Sequence, residues 1–538
     1  MNSEKVSVYK KKNAFASCIA FCLVLVMAVL CSGSFTGVKA SAASIPTKYD
    51  LRKKKLTTSI KDQGVTGSCW AFAALKALES SAIKNNVLTK SKANLSENHL
   101  VWFAYHKSED KSDLVYNDGI TATKVARGAA NTSSAETEGV ADEKISQASA
   151  INARAASAED PEVQTALMRN SLVSRNASEV SAEDITPYLS GGSASLAVFT
   201  LARGSGAVFE SLAPFKATTY SELVDTVAYM VKNGEALRYK QSVRLQNAIC
   251  YTGAGNKVIK KALMKYGALD VSVYYKSSYV RYTSDSVYNY YQNAITKKYA
   301  ETYANHCVTI VGWNDNYSKN KFKIKPKKNG AWLVANSYGT SSDKGYFWLS
   351  YYDQSITDIF SMRATKANLY STVYQYDGMG YSDTSKAFSG AVEAANVYTN
   401  NTDTPKKIKA VSFYTIKKNQ KFAVKCYKDL TSKNPNSGTL VSAATSSGTK
   451  KRTGYYTVKL KKAVTIEPGE KFAVSVVYKK DSKTSTLVPI EGSNFSMSGI
   501  KFTYGAAANQ SFLKYKKWYD AYDLGYNNLC VKACATEG

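Results

Sequence analysis

Residues 61–72 read KDQGVTGSCWAF, and this stretch decides the fold. Cys69 opens a helical pattern: Ala71, Leu75, Leu78 and Ala82 fall at i, i+4, i+7 and i+11 and form one apolar face. Ser68 stands where a helix N-cap is expected, and Gly67 permits a tight approach to the helix. A thiol in a first helical turn feels the positive end of the helix dipole, which lowers its pKa and favours the nucleophilic thiolate. A cysteine taken at random is a small buried hydrophobe. The Gly-Ser-Cys-Trp context argues for chemistry instead.

A thiolate nucleophile needs a proton partner, and the chain has only His99, His106 and His306. His306 precedes CVTIVGW, a continuous apolar run that reads as a buried strand. It therefore sits where a rigid element aims it. An imidazolium beside Cys69 stabilises the thiolate and protonates a leaving amine. His99 and His106 lack such a setting and read as surface or structural residues. Asn336 ends the apolar run AWLVAN, and an Asn amide oxygen can accept the imidazole N–H and fix the ring. Tyr338 is placed to shield that bond from water. Gln63, six residues before Cys69, offers a side-chain N–H that can join the Cys69 backbone N–H as an oxyanion hole. No metal or cofactor is expected in this chemistry.

The stretches QGVTGSCWAF, NHCVTIVGW and NSYGTSSDKGYFW together resemble the papain family of cysteine peptidases. Smaller matches are IPTKYDLR, similar to a mature N-terminus, Glu79 on the first helix, and Leu95-Ser96-Glu97. The resemblance covers about residues 45–360. It implies an α+β papain-like peptidase, a helical half plus a β-barrel-like half, over residues 43–365. It also implies that Gly191 and Gly192 form a strand binding the substrate backbone, with a helix after it. By the same resemblance Ser193, Ala304 and Cys307 line the specificity pocket. The family's His lies roughly 130–150 residues beyond its Cys. Here the gap is 237, and an insertion at residues 107–188 accounts for nearly all the excess. That insertion is acidic, with a net charge of −6, and rich in Ala and Ser. Its composition predicts a loop or marginal helices. Two departures stand out. Thr66 replaces the family's first signature cysteine, so the family disulfides are not expected. No long inhibitory propeptide is evident before IPTKYDLR.

The surrounding chain sets the compartment and the second domain. Lys10 to Lys12 precede an 18-residue apolar run, 14–31, and Val38-Lys39-Ala40 gives a small-x-small cleavage pattern. Residues 1–42 thus read as a secretory signal peptide, with an uncleaved anchor as the rival. The chain reads as secreted or cell-surface associated. Beyond it lie only six cysteines: Cys69, Cys250, Cys307, Cys426, Cys530 and Cys534. Over so long a chain that is no disulfide scaffold.

Residues 366–538 show short alternating runs such as VSFYTI, KFAVKCY, GYYTVKL and KFAVSVVY, which read as an all-β sandwich. The stretches VYQYDGMGY, AANVYTNN, KAVSFYT and NNLCVKA resemble the lectin-like domain attached to some bacterial papain-type peptidases. The whole chain carries 71 basic and 42 acidic residues, a net of +29, of which +14 lies in 366–538. Such charge suits anionic cell-wall polymer or glycan, with Tyr515, Trp518 and Tyr519 available to stack on sugar rings. Nucleic acid is not expected as a partner, nor a membrane span after residue 42. The expected function is an exported cysteine endopeptidase acting through Cys69, His306 and Asn336. Two rivals stay open: an adhesin or glycan-binding protein with a degenerate peptidase half, and a peptidoglycan-cleaving enzyme of related fold.

Overall fold

A computed structural model describes residues 44–106, 180–283, 288–340, 345–479, 485–492 and 505–538, and the backbone of 121–124, 494–497 and 500–503. The signal peptide and most of the acidic insertion lie outside the described residues. The fold joins a papain-like α+β part to a C-terminal all-β part.

The helical half holds α1 (Cys69–Lys84), α2 (Glu97–Tyr105), α3 (Ala182–Leu189), α4 (Ala194–Arg203) and α5 (Tyr220–Leu237). α1 is more deeply set than its single apolar face suggests. Every residue from Cys69 to Ala82 is buried, including Lys76, Glu79, Ser80 and Ser81. The reason is placement: helices cover one side of α1 and the sheet covers the other. The polar residues find partners there. Glu79 accepts from Thr58 Oγ1 at 2.5 Å and from Leu95 N at 2.8 Å. Ser81 Oγ accepts from Ala364 N at 3.0 Å. α3 overlaps the end of the expected insertion but packs with the peptidase body. Tyr188 is fully buried, and its hydroxyl reaches Asn98 Oδ1 at 2.5 Å.

The β half begins with β1 (Lys48–Asp50) and continues with β2 (Val243–Cys250), β3 (Leu269–Val273), β4 (His306–Asn314), β5 (Ala331–Ala335), β6 (Tyr346–Ser350) and β7 (Thr357–Lys366). β4 is the axis. It pairs antiparallel with β3, with Val273 opposite His306, and with β5, with Thr309 opposite Ala335. β1 closes on the far end of β4, with Tyr49 opposite Trp313. β7 pairs with β3 on one edge and with β2 on the other, and carries a bulge between Thr357 and Phe360.

The C-terminal part is built from β8 (Val392–Thr399), β9 (Lys406–Thr415), β10 (Gln420–Lys428), β11 (Gly454–Ile466), β12 (Lys471–Tyr478), β13 (Ser511–Lys514), β14 (Trp518–Asp520) and β15 (Val531–Glu537). β10, β12, β8, β13 and β14 form one sheet in that order. Its partner sheet runs β15, β9, β11 and then continues into the peptidase part. Gly454, Tyr455 and Tyr456 of β11 pair with Ile249, Ala248 and Asn247 of β2. Gly454 takes φ +139°, and a Cβ there would fall 2.1 Å from the Ala248 carbonyl oxygen, so only glycine fits this seam. The two halves also share a core, since Met379, Tyr414, Tyr455 and Cys530 pack with the helical residues. A buried polar seam lies alongside. Arg203 reaches the Gly378 carbonyl at 3.2 Å, and Lys532 pairs with Asp377 at 2.8 Å, both side chains almost fully buried.

Trp518 corrects one reading. It is not free to stack on a ligand: it is buried, packs edge-on against Tyr427 at 6.2 Å and belongs to the core under β14. Tyr515 and Tyr519 do stack on one another at 4.7 Å, with Tyr515 exposed. All six described cysteines are free.

Candidate active site

The turn before α1 is built from residues that cannot be larger. Gly64 has φ +58°, and a Cβ there would lie 1.7 Å from the Ala217 carbonyl oxygen. Gly67 donates to the Tyr188 carbonyl at 2.7 Å, and a Cβ on it would strike Gly191 N at 2.6 Å. The expected N-cap is only half present. Ser68 occupies the cap position, but its hydroxyl bonds Thr66 Oγ1 at 2.5 Å and caps no backbone N–H. Ala71 N donates to the Ser68 carbonyl at 2.8 Å, and the N–H groups of Cys69 and Trp70 precede the intrahelical ladder. Cys69 is the first residue of this helix and is 5% exposed.

His306 opens β4, and Asn336 directly follows β5, so pairing of these strands brings the two side chains together. His306 Nε2 and Asn336 Oδ1 are 2.8 Å apart. Asn336 is itself held: its Oδ1 also accepts from Ser337 N at 2.9 Å, and its Nδ2 donates to Tyr288 Oη at 3.1 Å. With Nε2 committed, His306 Nδ1 is buried with no conventional hydrogen-bond partner and is the nitrogen left to face Cys69. Tyr338 stacks on the imidazole, centroids 5.0 Å apart and planes 22° from parallel, while Tyr275 tilts against it at 5.5 Å. The Tyr338 ring therefore covers one face of the imidazole.

Gln63 is locked from both ends. Its Oε1 accepts from Ser337 Oγ at 2.6 Å, and its Nε2 donates to the Thr66 carbonyl at 2.6 Å. One Nε2–H is spent in this way, and the second remains for a ligand. Ser337 follows Asn336, so the segment leaving β5 that carries Asn336 also holds Gln63.

The Cys69 thiol is held well below the usual cysteine range. The largest cause is a hydrogen bond from the Cys307 thiol, and hydrogen bonding and charge from His306 add to it against the cost of burial. Cys307 moves the opposite way, raised well above the usual range by its bond to Cys69 and by burial. Cys307 also lies 3.5 Å from Ser272 Oγ. Sequence reasoning missed what lies behind it. Asp270 is fully buried on β3, and Asp358 sits in the β7 bulge at φ +44°. Burial and Asp358 raise the Asp270 carboxyl well above its usual range, and burial raises Asp358 to about 6. A carboxylate inside an apolar-looking strand such as ALDVSV was the signal available.

The remaining expected residues divide. Gly192 lies against the indole that follows Cys69: a Cβ there would fall 2.5 Å from the Trp70 ring. Gly191 adopts φ +78°, and its carbonyl accepts from Tyr105 Oη. These two glycines form an irregular link between α3 and α4, not a strand, because α4 begins at Ala194. Ser193 is spent as the N-cap of α4, accepting from Leu196 N at 3.1 Å. Ala304 stands in the turn before His306, where Asn305 is tied to the Tyr275 backbone at 2.7 and 3.0 Å. His99 and His106 are engaged with other partners. His99 is fully buried with Nε2 on the Leu237 carbonyl, and burial lowers it to about 4. His106 stacks on Trp102. Among the described residues no group of His, Cys, Asp and Glu is arranged to hold a metal ion. No described helix is long and apolar enough to cross a membrane.

A helix-borne thiol facing an imidazole that an asparagine orients from a neighbouring strand is the arrangement of a papain-type peptidase. The papain family cysteine protease profile matches residues 45–191 and 144–366, and the chain belongs to that family. A lectin like domain matches residues 373–535. Among curated relatives, vignain of Vigna mungo is 42% identical over 69 residues, 13% of this chain and 18% of that protein. The viral cathepsin of Autographa californica nuclear polyhedrosis virus is 47% identical over 57 residues, 10% of this chain and 16% of that protein. The chain thus matches less than a fifth of either relative's length. Among solved structures, the clostridial cysteine protease Cwp84 after propeptide cleavage superposes with a TM-score of 0.63 at 22% identity, over 91% of this chain and 99% of that one. The cysteine protease and lectin-like domains of Cwp84 from Clostridium difficile give 0.63 at 21% identity, covering 92% and 90%. These likenesses show a shared fold across both halves.

Proposed function

We propose that this chain is an exported cysteine endopeptidase that hydrolyses peptide bonds through Cys69, His306 and Asn336. The Cys69 thiolate attacks the scissile carbonyl. The Cys69 N–H, in the uncapped first turn of α1, and the second Gln63 Nε2–H hold the oxyanion. His306, charged through Nδ1, gives its proton to the leaving amine, and then as a base draws a proton from the water that hydrolyses the thioester. Asn336 keeps the ring aimed and Tyr338 covers one of its faces. The carrying observation is the 2.8 Å contact of His306 Nε2 with Asn336 Oδ1, which leaves Nδ1 turned toward a thiol of lowered pKa.

Export rests on the pattern of residues 1–42. It agrees with the description of the similarly folded Clostridium difficile protein as surface layer associated. A tether to anionic wall polymer through residues 366–538 draws support from their positive charge and from the exposed Tyr515 beside Tyr519. The test uses the chain from residue 43 onward, incubated with casein and with cell walls. Casein cleavage that disappears in Cys69→Ala supports the reading. Wall cleavage alone favours the peptidoglycan enzyme, and binding without cleavage favours the adhesin.

A further inference from the structure

Cys69 has a second thiol as its neighbour, and the fold places it there. Thr309 Oγ1 on β4 donates to the Ala73 carbonyl on α1 at 3.1 Å. Cys69 lies four residues before Ala73, one turn along the same helix face, about 6 Å away. Cys307 lies two residues before Thr309 on the same strand face, about 6.6 Å away. The two steps nearly match, so the register that joins Thr309 to Ala73 brings Cys307 against Cys69. Both side chains are buried in the same core cluster, and each is the leading influence on the other's ionisation.

We infer that Cys69 and Cys307 form a reversible disulfide when the protein meets a peroxide, and that this bond switches the peptidase off while protecting its nucleophile. The switch-off rests on the proposed catalytic role of Cys69; the bond itself does not. The Cys69 thiolate attacks one oxygen of hydrogen peroxide, and the O–O bond breaks. Cys69 becomes a sulfenic acid and hydroxide leaves. Cys307 then loses its proton and attacks the Cys69 sulfur. The S–S bond forms as the S–O bond breaks, and the second oxygen leaves as hydroxide. With the two thiol protons, both hydroxides become water. Two thiols have lost two electrons to one peroxide.

Proximity also times the second step. The Cys69 thiolate is the main reason that Cys307 holds its proton. Once Cys69 is a neutral sulfenic acid that restraint is gone, and Cys307 ionises more readily just when it is needed. Ser272 Oγ, 3.5 Å away, can receive a hydrogen bond or donate one as the sulfur changes state. Bringing the two sulfurs to a bond of about 2.05 Å calls for rotation about the two Cα–Cβ bonds.

The experiment treats the chain from residue 43 onward with hydrogen peroxide near neutral pH and follows intact mass, peptide map and casein cleavage. The expected product is about 2 Da lighter, carries a Cys69–Cys307 cross-linked peptide, and regains most of its activity with dithiothreitol. Cys307→Ala removes the main partner that lowers the Cys69 thiol, so its activity before treatment should fall, and its mass is the readout that decides. After treatment, the variant should gain about 32 or 48 Da on Cys69 and lose activity beyond rescue. Cys307→Ser gives a second, more polar version of the same test. Wild-type protein that passes directly to the sulfinic or sulfonic acid, or that cross-links Cys69 elsewhere, overturns the proposal. Should Cys69→Ala retain cleavage, the catalytic reading falls, and the mass and peptide map alone decide whether the bond forms.

Discussion

Removing the Asn336 side chain separates orientation from chemistry. In Asn336→Ala, His306 Nε2 loses its acceptor at 2.8 Å, and Ser337 N and Tyr288 Oη lose contacts of 2.9 and 3.1 Å. A buried hydrogen bond to a group that becomes charged is worth roughly 1.5–3 kcal/mol. If that energy is spent on keeping the imidazolium aimed at Cys69, kcat/KM should fall about 10- to 150-fold at ~1.4 kcal/mol per decade. The Ser337 N–H, left without its acceptor, adds a stability cost of about 1–3 kcal/mol. The assay is therefore cleavage of a fluorogenic peptide well below the variant's Tm, with Tm measured alongside. A second readout separates aim from stability. Iodoacetamide alkylation of Cys69 followed against pH reports the thiolate, and its midpoint should move up in the variant because the imidazolium is less well placed. A folded Asn336→Ala protein with kcat/KM within threefold of wild type, and an unmoved alkylation midpoint, refutes the assigned role.

Gln63→Ala should lower kcat by about 10- to 1000-fold, the range for one oxyanion donor, with KM little changed; an unchanged kcat removes Gln63 from the mechanism. Gly192→Ala drives a methyl to 2.5 Å from the Trp70 indole, so Tm should fall by the equivalent of about 1–3 kcal/mol; an unaltered Tm shows that the link yields. Glu491 is buried, accepting from Met379 N and Asn528 Nδ2 at 2.8 Å, and burial raises it to about 8. The folded state therefore holds a proton that the unfolded chain releases from about pH 4.5 upward, so stability declines as pH rises from there through about 8. Tm measured against pH should show that decline, and Glu491→Gln should flatten it; an identical slope discards the assignment.

The catalytic candidates were legible because each announces itself locally. Cys69 opens a helical period, His306 begins an apolar run and Asn336 ends one. The strand pairing that unites His306 with Asn336 is short-range in space and easily anticipated. Other features depend on register across strands far apart in sequence. Cys307 reads as a pocket-lining residue until Thr309 is found bonded to Ala73. Asp358 acquires meaning only through the β7 bulge that turns it toward Ser272. Trp518 looked available because alternation in a short run cannot say which face of the sandwich is inside. The seam between the halves was invisible for a similar reason: β2 and β11 are about 200 residues apart, and neither run advertises its neighbour.

That seam has a mechanical consequence. Tension applied to the C-terminal half, by a polymer it holds or by a neighbour on a cell surface, passes through backbone hydrogen bonds between β11 and β2 straight into the sheet that carries His306. The protein is then a blade without a hinge, and its cleft keeps one bearing relative to whatever the other half grips. Severing the chain near residue 366 would bare the β2 edge, a ready template for strand addition. The peptidase cut free in this way should clump, not cut, and the slowest amides to exchange in the intact protein should be those of residues 247–249 and 454–456.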